Sequence, residues 1–143
     1  MTLELKRKEF DEFINEIPTL LKNLEEKIKK KINKDFKISF EWNEIEIVEK
    51  YFKSLTCMNE EDIKEFWAFV SEALRYYVGG DYKLAPKSED VAFTPIIINY
   101  GYKNKWKIRL SAEAWRCRLI NNTLPKTLLE HIKSINAKYG IKT

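Results

Sequence analysis

Apolar residues recur at Phe10, Ile14, Ile17, Leu21, Leu24, Ile28 and Ile32, in steps of three and four that lay one hydrophobic stripe along a helix. Pro18 falls inside the stripe. It has no amide donor and crowds the preceding turn, so the pattern predicts two helices or one kinked helix. Phe36, Ile38 and Phe40 alternate with Lys37, Ser39 and Glu41, which predicts a short half-buried strand. A second helical pattern begins near Asn43, with Ile45, Val48, Phe52 and Leu55 inward and Glu44, Glu46 and Glu49 outward.

The clearest helix follows. Asn59 is a capping residue, Glu60, Glu61 and Asp62 complement the dipole of a first turn, and Gly79-Gly80 supplies a stop. Between them Ile63, Phe66, Trp67, Val70, Leu74, Tyr77 and Val78 form a broad apolar face, so this helix is expected at the centre of the core. Residues 81–84 read as a strand and Lys87-Ser88-Glu89-Asp90 as a loop. Residues 92–102 and 105–111 read as a hairpin, with Pro95 opening its strand or lying on an edge. Residues 112–122 fit a helical turn or a strand equally. A last helix is expected from Pro125 to Lys138, with Leu128, Leu129, Ile132 and Ile135 inward and Gly140 beyond its end. The predicted class is α+β: N-terminal helices, a central aromatic-rich helix and a C-terminal helix packed on a small antiparallel sheet. The 143 residues suit one domain, with residues 1–34 as a semi-independent helical arm in one arrangement.

Register decides what the hairpin displays. A two-residue turn pairs Tyr102 with Lys105, Tyr100 with Lys107 and Ile98 with Arg109, interleaving tyrosines with cations on one face. A three-residue turn pairs Tyr102 with Trp106, Tyr100 with Ile108 and Ile98 with Leu110, placing every large apolar group on a buried face. The second separates polarity more cleanly and is the expected register.

The net charge of +4 is unevenly spread: +2 over residues 1–34, −5 over 35–65 and +7 over 66–143. Five lysines between Lys27 and Lys34 read as a solvated rim. An acidic middle in a basic chain presents two opposite faces, which suits a specific protein partner at least as well as a nucleic acid. Residues 99–118 hold six basic residues and one acid beside Trp106 and Trp115, with no recognisable nucleic-acid motif. Trp115 is expected in the core.

Catalytic chemistry finds little support. His131 is the only histidine, and the two cysteines, Cys57 and Cys117, form no paired motif and are expected to be buried. Asp81, Glu89, Asp90 and Glu113 are the carboxylates near strands, but they lack the spacing of a metal-dependent nuclease. Neither an enzyme nor a metal or cofactor site is expected. No apolar run is long enough for a membrane span, and the charged N-terminus argues against export, so a cytoplasmic location is expected.

Phe66-Trp67-Ala68-Phe69-Val70-Ser71-Glu72-Ala73-Leu74, then Gly79-Gly80-Asp81-Tyr82, then Thr94-Pro95-Ile96-Ile97 resemble a pattern in small bacterial immunity-type domains, which neutralise toxins. The likeness covers about thirty residues of common types and carries no functional residue over. It implies a non-enzymatic inhibitor that binds a toxin domain directly. Glu44, Glu46, Glu49 and Glu61 are then the natural acidic contact for a cationic partner. The alternative is a nucleic-acid-binding accessory protein using Lys105, Lys107, Arg109, Arg116 and Arg118.

Overall fold

In the computed structural model, which describes residues 3–101, 109–123 and 126–140, the chain runs α1 (Arg7–Lys31), α2 (Trp42–Lys53), α3 (Glu60–Val78), β1 (Asp81–Leu84), β2 (Pro95–Ile98), β3 (Leu110–Ser111), α4 (Ala112–Ile120) and α5 (Leu128–Tyr139). The fold is α+β, with a three-stranded antiparallel sheet in the order β1-β2-β3. Among the described residues no helix is long and apolar enough to cross a membrane.

The order follows from α3. Its Asn59 side chain accepts a hydrogen bond from the Asp62 amide at 2.8 Å, and the Asp62 carboxylate accepts one from the Asn59 amide at 3.1 Å, closing the capping box. Ile63, Phe66, Trp67, Phe69 and Val70 have no exposed surface, so α3 is covered on several sides. α1 and α5 lie against it, and it also meets β2 and α4. Gly79 ends the helix at φ 73°. Phe10, Phe13, Ile17, Leu20, Leu24 and Ile28 of α1 belong to the same core.

α1 is one helix, not two. Pro18 sits on its exposed side, and the helix runs through it. The strand expected over 36–40 does not form. Two backbone groups of that segment bond to side chains instead: the Ile38 amide donates to Glu25 Oε1 at 2.8 Å, and the Tyr77 hydroxyl donates to the Phe40 carbonyl. Residues 112–120 are helical, with the Ser111 hydroxyl accepting from the Ala114 amide. α5 begins at Leu128 under a Thr127 cap; Pro125 lies outside the described residues.

The expected hairpin register is corrected by one residue. Ile96 pairs with Ser111 and Ile97 with Leu110, the alignment of the two-residue turn. The tyrosine face does not follow from it. The ladder stops at Ile98, Asn99 turns the chain at φ 57°, and Tyr100 is buried edge-on to Tyr139. The polarity argument failed because β2 is covered on both faces. Ile97 enters the main core, while Ile96 packs with Ala85 and Val91 in a second small cluster. Residues 102–108, with Tyr102, Lys105, Trp106 and Lys107, lie outside the described residues.

Candidate functional site

Of the acidic residues singled out above, only some share a surface. Glu46 and Glu49 both border a groove of about 540 Å³ between α2 and α5, with Lys50, Lys53 and Glu130 around a Leu129 floor. Glu46 is exposed; Glu49, expected outward, is buried. Its Oε1 accepts from the Leu128 amide at 3.0 Å, so a carboxylate of α2 caps the N-terminus of α5, and its Oε2 lies 3.3 Å from Lys53 Nζ. Glu44 is half-buried, and desolvation raises its carboxyl above the usual range against a hydrogen bond from the Ser39 backbone. Glu61 belongs to a different groove, between α1 and α3 with Glu16 and Lys64, and lies 3.7 Å from Lys27 Nζ. The four glutamates do not make one acidic face.

Aromatic rings gather next to the start of α2. One turn before Glu46, Trp42 stacks on Tyr77 with centroids 4.4 Å apart and planes at 11°, while Lys133 of α5 stands 5.4 Å over the Trp42 ring. Tyr77 touches Tyr76 edge-on, and Tyr76 lies 5.5 Å from Phe40. Phe40, Trp42 and Tyr77 are half-buried, and Tyr76 is 43% exposed. Sequence periodicity places Tyr77 inward and Phe40 in an alternating half-buried segment, and passes over Trp42 and Tyr76. The available signal was that Tyr76 lies off the Ile63–Phe66–Val70–Leu74 stripe, so an aromatic ring there has to meet solvent or a partner. Glu41, exposed just before α2, faces Glu44 and Tyr77 closely enough to raise both of their pKa values, each of which is raised chiefly by burial.

The basic residues singled out above also separate. Arg116 is 2% exposed and gives Glu113 a bidentate pair, Nε to Oε1 at 2.6 Å and Nη2 to Oε2 at 2.8 Å. It is removed from any phosphate-facing role because it neutralises a buried carboxylate. Arg109 pairs with Asp90 at 2.9 Å and Glu89 at 3.5 Å. Arg118 is exposed, with its guanidinium 5.2 Å over the Trp115 ring. Lys105 and Lys107 lie outside the described residues. Trp115 is buried in the core, as expected. Both cysteines, expected inside, are free and exposed: Cys57 lies between α2 and α3, and Cys117 falls on the side of α4 away from Trp115. The lysine rim is also incomplete, since Lys27 turns toward Glu61, Asp62 and Glu65.

The carboxylates near the strands are dispersed: Asp81 meets Asn99, Glu89 and Asp90 meet Arg109, and Glu113 is enclosed with Trp67 and Arg116. Among the described residues no group of three or more His, Cys, Asp or Glu side chains is placed to hold a metal ion. Compared with protein-family models, curated proteins and solved structures, the chain matches none.

Proposed function

We propose that this chain acts by binding, as an immunity-type inhibitor whose α2–α5 groove and aromatic ledge dock the basic face of a protein toxin. The observation that carries the reading is the ledge itself: Tyr76 exposed beside Phe40 and the stacked Tyr77–Trp42 pair, with Trp42 one helical turn before Glu46 of the groove. Rigid Tyr and Trp rings anchor protein interfaces because they bury much area at little cost in conformational entropy. Exposed Glu41 and Glu46 near the rings are the carboxylates this reading assigns to a cationic partner. The resemblance of residues 66–74 and 79–82 to immunity-type domains is consistent with this role. Those apolar residues are interior, so the resemblance bears on the scaffold and not on the contact.

The test is capture of a partner from nuclease-treated native lysate on the tagged chain, repeated with Tyr76→Ala and Glu46→Lys. Loss of a stoichiometric protein with both variants, and its retention with Lys83→Gln on β1, supports the reading. Equal capture by all three variants overturns it.

A further inference from the structure

The sign of the surface reverses on the other flank of α5. There a cleft of about 300 Å³ opens between α4 and α5, bordered by Arg109, Arg118 and Lys138 over Trp115 and His131, and among the described residues no carboxylate lines it. Arg109 is held by Glu89 and Asp90, whereas Arg118 and Lys138 are exposed and form no ion pair among the described residues. His131 lies against Trp115, with centroids 3.7 Å apart. Burial first, then the charges of Lys126 and Arg118, push its imidazole down to about 3. The sole histidine thus reports a positive field in the cleft and is uncharged at neutral pH.

We propose that this cleft binds a small phosphorylated anion, with Arg118 and Lys138 holding the phosphate and the His131 ring donating a hydrogen bond from the cleft wall. The guanidinium fork matches a phosphate, and an uncompensated pair of cations is where such an anion gains most. Single-stranded nucleic acid fits less well. It needs open aromatic faces along a track, but Trp115 is already layered with His131 and Arg118, and Tyr100 is buried against Tyr139. This inference is independent of the α2–α5 groove.

Because the chain has one histidine, its ring resonances give an unambiguous probe. Titrating the full chain with inorganic phosphate and with ribose 5-phosphate should shift them saturably. The His131 pKa should also rise, since a bound anion offsets Lys126 and Arg118; Arg109, Lys138, Tyr100 and Tyr139 are the other titratable groups at the cleft. The double variant Arg118→Gln/Lys138→Gln removes only exposed side chains and should weaken binding about tenfold or more, with Lys83→Gln unchanged. No saturable shift, or unchanged affinity in the double variant, overturns the proposal. So does an oligouridylate that binds through the same two residues while ribose 5-phosphate does not.

Discussion

Lys27 Nζ lies 3.0 Å from each carboxylate oxygen of Glu65, a residue thirty-eight positions away with no exposed surface. The same ammonium also stands 3.6 Å from Asp62 and 3.7 Å from Glu61, so one lysine of α1 serves three acids of α3's first turns. Desolvation outweighs the lysine and raises the Glu65 carboxyl to about 7. The folded chain therefore holds this proton up to about pH 7, whereas the unfolded side chain releases it near 4.5. The folded state binds more protons across that interval, so Glu65 makes stability fall as pH rises through it. Urea denaturation of Glu65→Gln should lack this decline. Lys27→Met should cost about 3 kcal/mol at pH 8, where the bare carboxylate is buried, and much less at pH 5. Equal losses at both pH values would place the cost in packing.

Glu113 is the second buried junction. It accepts from Trp67 Nε1 at 2.8 Å while holding Arg116, which ties the centre of α3 to α4. Glu113→Ala leaves a guanidinium and an indole N–H without their partner in the interior, so a loss of about 3–5 kcal/mol is expected in chemical denaturation. Arg116→Gln should unfold the chain more readily as well. Any loss of anion binding in that variant has to be separated from unfolding by circular dichroism.

Glu46 and Glu49 lie on one helix three residues apart and should behave oppositely. Glu49→Ala removes the cap on the Leu128 amide and is expected to cost about 1–2 kcal/mol in thermal or urea unfolding. Glu46→Lys changes an exposed side chain and should stay within about 0.5 kcal/mol of the parent. A stability loss at Glu46 equal to that at Glu49 would contradict the assignment of only one of them to the fold.

Gly80 should tolerate no side chain. Its φ is 107°, and a Cβ there would approach Ile97 Cγ2 to 2.6 Å and the Ile98 carbonyl oxygen to 2.8 Å, where β1 leaves α3 beside β2. Gly80→Ala is expected to cost about 2 kcal/mol or more, read as a lower urea midpoint at unchanged slope.

Much of the helical layer was legible in sequence. The spacing of Ile63, Phe66, Trp67, Val70 and Leu74, the Asn59 cap and the Gly79 stop are local signals, and local hydrogen bonding is what a helix consists of. The register of β2 was not legible. Alternation reports which face is buried only when the other face is wet, and β2 has none. The 36–40 segment alternates like a strand, but its backbone bonds go to Glu25 and Tyr77. Of the candidate site, Glu46 and Arg118 were named from sequence and lie exposed, while the Tyr76–Tyr77–Trp42–Phe40 ledge and the α4–α5 cleft appear only once distant elements meet. Sequence by itself determined α3 with its Asn59 cap and central place, and the apolar stripes of α1, α2 and α5. The tertiary structure decided which charges are spent inside. The burial of Glu49, Glu65 and the Glu113–Arg116 pair rests on groups brought by other elements, the Leu128 amide, Lys27 and the Trp67 indole, because the cost of burying a charge depends on what arrives beside it.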